Sequence, residues 1–159
     1  MTKSMIPRIP KALVAEHEEL HAELVKLTLR RGKVGEAART VATLLHPHFV
    51  KEEEFALPPL GLLPALAKGT ITPEMHPAID MARRLKSELP RMLDEHKAIV
   101  VALKKLVDNS HKVHRSDIAL FANIALFAEK LILHAQTEEE VLYPAAIVIG
   151  AYLEAKLEA

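Results

Sequence analysis

A chain of 159 residues is long enough for one domain with a real core. Its 21 Lys plus Arg are balanced by 21 Asp plus Glu, leaving no net charge to draw nucleic acid or an anionic surface. It has no cysteine, which excludes disulfides, thiolate metal ligands and cysteine nucleophiles together. Half of the residues are hydrophobic, but with four Phe, two Tyr and no Trp the core is built from Leu, Ala, Ile and Val, a composition that favours helix.

The N-terminal stretch MTKSMIPRIPKAL lacks the unbroken apolar run of a signal peptide. The longest apolar run, Ala145 to Leu153 interrupted only by Gly150, is far short of the roughly 20 residues of a membrane helix. The expectation is a soluble, cytoplasmic, single domain over residues 1–159, with no membrane and no nucleic-acid partner.

A first helix is predicted from about Pro10 to Arg31, stopped by Gly32. A second runs from about Gly35 to Leu57 and ends at the Pro58–Pro59 pair. The segment PPLGLLPALAKGTIT then reads as a loop, long and unusually apolar, placed either over an entrance or against a partner. A third helix starts near Pro73 and reaches about Asn109, with Pro77 and Pro90 breaking or kinking its first half. The fourth starts near Ser116 as N-cap and runs to Tyr143, where Pro144 ends it; a short fifth helix follows from Pro144 to Leu157. No segment alternates with period two, so no sheet is expected. Short links pair the first two helices and the next two, which predicts an all-α, up-down-up-down four-helix bundle with a core over about residues 10–144 and a short extra C-terminal helix.

Each bundle helix carries a buried stripe at spacings of three and four. The first reads Leu13, His17, Leu20, Leu24, Leu27, and the second Ala38, Val41, Leu45, His48, Glu52, Phe55. The third reads Leu85, Leu89, Met92, His96, Ile99, Leu103, Leu106, and the fourth Leu120, Ile124, Phe127, Leu131, His134, Glu138, Val141. Four histidines and two glutamates therefore stand where the pattern demands core residues. Left unpaired, each would cost roughly 1–3 kcal/mol, against a total stability of about 5–15 kcal/mol. Counted from the helix ends, all six fall at similar depth, so they converge on one layer. Imidazole and carboxylate without thiolate suit iron, manganese or zinc, and two carboxylates able to bridge point to two ions.

A lone seam histidine is more often a hydrogen-bonded core residue than a ligand, and one His-x-x-x-Glu is common surface chemistry. The conjunction is what carries weight: two such pairs, both in phase with the seam, each matched by a seam histidine at equal depth. The remaining members of each triplet, Glu53, Glu54, Glu139 and Glu140, fall off the seam, to solvent or an outer position. His46, His76, His111 and His114 keep ordinary roles, while His21, one turn from His17, is a marginal further candidate.

Glu16-His17, HFVKEEEFALP (residues 48–58), Glu95-His96 and HAQTEEEVLYP (residues 134–144) together resemble the hemerythrin-like, or HHE cation-binding, domain family over about residues 11–144. The resemblance implies two iron ions, oxo- or hydroxo-bridged, held by His17, His48, Glu52, His96, His134 and Glu138. It also implies a small diatomic or peroxide ligand as partner (dioxygen, nitric oxide or peroxide), with a homodimer left open. Manganese or zinc are the alternative metals. One residue departs from the oxygen-carrying members, which place a second histidine one turn after the third-helix ligand, where this chain has Val100. That favours sensing, iron handling or redox chemistry over simple oxygen carriage. The competing expectations are a di-iron oxidoreductase or peroxidase, with Tyr143 close to the site, and a metal-free helical adapter.

Overall fold

The computed structural model describes residues 5–112 and 117–159. They are all-helical, with no strand among the described residues: α1 (Lys11–Thr28), α2 (Gly32–Lys51), a short α3 (Leu63–Leu66), α4 (Pro77–Ser110), α5 (Ile118–Thr137) and α6 (Tyr143–Leu157). The five long helices pack together, α4 touching α2, α5 and α6, and α1 touching α2 and α5.

Most boundaries follow from local chemistry. Gly32 adopts a φ of +74°, a left-handed conformation that lets the chain turn from α1 into α2, which therefore begins three residues earlier than its sequence pattern predicts. Pro77 opens α4 rather than interrupting it, since a first-turn residue needs no donor. The helix also runs on through Pro90 to Ser110. Asp117 caps α5, its carboxylate accepting from the Leu120 N–H at 3.3 Å. Ser116, the expected cap, and His114 lie outside the described residues.

Two departures matter for the site. The first lies at the two Glu-Glu-Glu triplets, where the helices widen into π turns, Glu52–Ala56 and Glu138–Leu142, closed by the N–H of Leu57 on Glu52 O and of Tyr143 on Glu138 O. A proline follows each widened turn and, with no N–H to give, leaves the α register one donor short there. Pro144 consequently does not end the fourth helix. Residues 118–157 form one continuous helix, long and apolar enough by length and composition to cross a membrane, although its inward stripe packs in the protein core. The extra residue of the π turn also rotates the next turn of the helix. Val141, expected on the seam, is 56% exposed, and Tyr143, five residues after Glu138, is fully buried in its place.

The second departure is the apolar stretch after α2. Instead of a loop it forms a 3-10 turn (Pro58–Leu62) and α3, with Pro58, Pro59, Leu60 and Leu62 buried. It belongs to a lower hydrophobic cluster with Phe55, Met75, Ile79, Met92, Tyr143 and Leu153. Within that cluster α4 and α6 approach so closely that a Cβ on Gly150 would stand 2.1 Å from Ala82 Cβ. An upper cluster of Leu20, Leu24, Val41, Leu45, Ile99, Leu103, Phe127 and Leu131 fills the other end. The seam histidines and glutamates occupy the layer between the two.

Candidate metal centre

His17, His48, Glu52, His96, His134 and Glu138 are each 3% exposed or less. α1, α2, α4 and α5 each contribute one imidazole, and each π turn begins with one of the carboxylates. The six side chains meet as two overlapping quartets: His17, His134, Glu52 and Glu138, and His48, His96, Glu52 and Glu138. Both glutamates belong to both quartets, so each carboxylate spans the two halves.

Inside the first quartet His17 Nε2 lies 3.2 Å from His134 Nε2 and 3.4 Å from Glu52 Oε2. Glu138 Oε1 lies 3.8 Å from His17 Nε2 and 2.7 Å from His134 Nε2. In the second, His48 Nε2 is 2.8 Å from His96 Nε2 and 3.2 Å from Glu52 Oε1, and His96 Nε2 is 3.3 Å from Glu138 Oε2. Donors about 2.0–2.2 Å from one cation stand roughly 3 Å from one another, so both quartets have the span of a metal-ligand set. Two oxygens, Glu52 Oε2 and Glu138 Oε1, are buried without a hydrogen-bond partner among the described residues. Such buried, unsatisfied carboxylate oxygens are costly unless a cation or proton reaches them. These buried His/Glu clusters could hold a metal ion.

The outer nitrogens explain why the imidazoles face inward. His17 Nδ1 donates to Glu53 (3.2 Å), His48 Nδ1 to Glu95 (2.8 Å), His96 Nδ1 to Glu139 (2.7 Å) and His134 Nδ1 to Glu16 (2.7 Å). A carboxylate can only accept here, so each Nδ1 carries the proton and each Nε2 is left for the centre. The four clamps form a closed ring. α1 supplies the glutamate for the α5 histidine, the π turn after α5 supplies α4, α4 supplies α2, and the π turn after α2 supplies α1. Lys51 pairs in turn with Glu95.

The sequence pattern assigns Glu53 and Glu139 to solvent or an outer position and gives Glu16 and Glu95 no task. All four were marked by adjacency, since each stands next to a seam His or Glu. Glu54 is turned away and pairs with Arg84 at 2.8 Å. His21 is exposed, facing His46 with ring centroids 6.3 Å apart, and joins neither quartet. His76 pairs with Glu158 at the surface, and His111 rests edge-on against Phe121.

Electrostatics follow from burial and crowding. Burial alone would depress the histidines, but Glu52 at His48 and Glu138 at His134 outweigh it and push each up to about 9. His17 is raised as well, burial being outweighed by Glu138, Glu52 and Glu53. Glu138, despite its burial, is held well below the usual carboxylate range by His134, His17 and His96. Glu52 is pushed up by burial and by the charge on Glu138. Tyr143 is pushed far up by burial and by both carboxylates, so it keeps its proton and donates it to Glu52 Oε1.

Two spaces adjoin the layer. A small space of about 10 Å³, room for about one water-sized molecule, lies between His48, His96, His134 and Glu138 and the apolar side chains of Leu45, Ile99, Val100 and Leu131. An open pocket of about 400 Å³ reaches His17 and Glu53 past Phe49, with His21 and His46 in its lining. Comparison with protein-family models, with curated proteins and with solved structures finds no match to this chain, so its own geometry is what any functional conclusion rests on.

Proposed function

We propose that the buried layer is a dinuclear non-haem metal centre, with one ion between His17 and His134, the other between His48 and His96, and Glu52 and Glu138 bridging both. The observation that carries this is the sharing of both carboxylates by two quartets of matching composition. We read the helices around it, α1, α2, α4 and α5, as an up-down-up-down bundle with α6 appended. Imidazole and carboxylate donors suit iron, manganese or zinc. The resemblance of the paired motifs to the hemerythrin-like family is what favours iron.

Two such ions, when bound, supply open positions for a small oxidant and electrons to exchange with it. The chain's own residues set the terms. Glu16, Glu53, Glu95 and Glu139 hold each imidazole with Nε2 inward. The space beside Val100, with room for about one water-sized molecule, leaves place near the centre only for a very small ligand. We therefore read the protein as a binder or sensor of a small oxidant. An oxidoreductase acting on peroxide is the second possibility, favoured by the Tyr143 hydroxyl lying 3.4 Å from His48 Nε2 and 3.3 Å from His96 Nε2.

Metal content per chain, measured on protein made in iron-rich medium together with its near-ultraviolet and visible spectrum, tests the proposal. Two irons per folded chain, falling below two in Glu52→Ala and Glu138→Ala, are expected. Spectra that shift with added ligand but show no turnover favour sensing, and steady peroxide consumption abolished by His134→Ala favours the enzyme. A folded protein without stoichiometric metal, and with an unchanged melting temperature after chelation, would leave a metal-free helical adapter.

A further inference from the structure

The two halves of the layer are built from the same residue types but are not alike. Five residues after Glu138 stands Tyr143; five residues after Glu52, the matching position in the other π turn, stands Leu57. Among the described residues, only one half therefore has a hydroxyl against it. The Tyr143 O–H donates to Glu52 Oε1 and lies within 3.4 Å of both His48 Nε2 and His96 Nε2. The Tyr143 ring lies nearly parallel to that of His96, with centroids 5.8 Å apart.

Three further observations separate the halves. Two fully buried carboxylate oxygens without a hydrogen-bond partner among the described residues, Glu52 Oε2 and Glu138 Oε1, are on the His17–His134 side, where only imidazole nitrogens approach them. The Nε2 atoms of His17 and His134 stand 3.2 Å apart, close to the roughly 3.3 Å that two nitrogens keep about a tetrahedral ion. Those of His48 and His96 stand 2.8 Å apart, with the tyrosine ring stacked on His96. Finally, the open pocket leads to His17 and Glu53, not to His48 or His96.

From these we infer that the centre fills in order, the His17–His134 half first and the His48–His96 half second, with Tyr143 as the positioning residue that separates the two steps. This rests on the dinuclear proposal above and adds an order to it. The first half offers two imidazoles at ligand spacing and two buried oxygens that face only imidazole nitrogens. The second must break the tyrosine's hydrogen bond to Glu52 Oε1 before a cation is held as well. A half-filled protein, with one ion and an intact second quartet, is then a stable species rather than a passing intermediate.

The test is a titration of metal-free protein with cobalt(II), read by native mass spectrometry and by the visible d–d bands, in the wild type and three variants. At one equivalent the singly loaded form should dominate the wild type, with the first step tighter by roughly tenfold or more. His17→Ala should lose the tight step, whereas His96→Ala should keep it and lose the weak one. Tyr143→Phe, which removes only the hydroxyl, should bring the two steps within about threefold by tightening the second. Circular dichroism checks that variant's fold, and the contrast between His17→Ala and His96→Ala decides the order even if it fails to fold. Wild-type protein that passes from empty to doubly loaded without a singly loaded form would overturn the inference while leaving the dinuclear centre standing. So would an unchanged step spacing in folded Tyr143→Phe. No cobalt binding at all would overturn both.

Discussion

Loading the metal-free chain with a divalent cation at pH 7 should release at least two protons, one or more for each ion. His48 and His134, one in each half of the layer, are pushed up to about 9. Two pH units below that value each is protonated roughly 99% of the time, and a histidine binds metal only as the neutral imidazole. With Nδ1 committed to a glutamate, the proton that must leave is the one on Nε2. In the metal-free protein that proton has an acceptor, Glu52 Oε1 at 3.2 Å from His48 Nε2 and Glu138 Oε1 at 2.7 Å from His134 Nε2. Each ion thus replaces a proton held between an imidazole and a carboxylate. The competition weakens apparent affinity at pH 7 by roughly 100-fold per ion, and log K should climb by about one per pH unit per ion before flattening above about 9. Calorimetric titration at pH 7 in buffers of different ionisation enthalpy counts the protons directly. A count near zero, or an affinity that falls as pH rises from 7 to 9, would refute the assignment of Nε2 as the inward ligand atom.

The same raised values fix how the metal-free protein responds to pH. A histidine whose folded value lies above its unfolded value of 6.5 contributes stability that is fully present below 6.5 and is lost as pH rises through about 9. The melting temperature of chelated protein should therefore fall from pH 6.5 to 9, and a flat profile would count against it. Glu139→Ala, which takes away the carboxylate 2.7 Å from His96 Nδ1, should weaken binding in the His48–His96 half by about 10–100-fold while leaving the other half nearly untouched, measurable by competition with a chromophoric chelator. Gly150→Ala should destabilise the fold by about 1–3 kcal/mol in urea denaturation, because the new methyl would overlap Ala82 where α4 meets α6.

The helices and the six buried polar positions were legible because a 3.6-residue period makes an interrupted stripe conspicuous. His17, His48, Glu52, His96, His134 and Glu138 broke an otherwise apolar seam, and all six lie buried in one layer. The π turns were not legible, since Glu-Glu-Glu reads the same in either register and only the missing donors at Pro58 and Pro144 hint at the wider turn. That single added residue is why Val141 faces solvent and Tyr143 faces the site. The clamps escaped for a related reason. Glu16, Glu53, Glu95 and Glu139 lie off the seam, where a periodic pattern assigns solvent, yet an imidazole on one helix directs its second nitrogen sideways to the neighbouring helix. The apolar segment after Pro58 carried no period to read, and only its burial against Phe55 and Met75 gives it a place.

Each quartet draws on both ends of the chain. His17 meets His134 across 117 residues of sequence, and His48 meets His96 across 48. His17, His48 and Glu52 precede α4, while His96, His134 and Glu138 lie on it or after it. During synthesis, then, the first 95 residues can emerge and fold into helices without ever offering a cation a complete pair of imidazoles. The His17–His134 pair is missing until residue 134 has been added, and both quartets until Glu138. The order of the letters thus leaves neither quartet complete until Glu138 has been added and the helices that carry the six groups have docked.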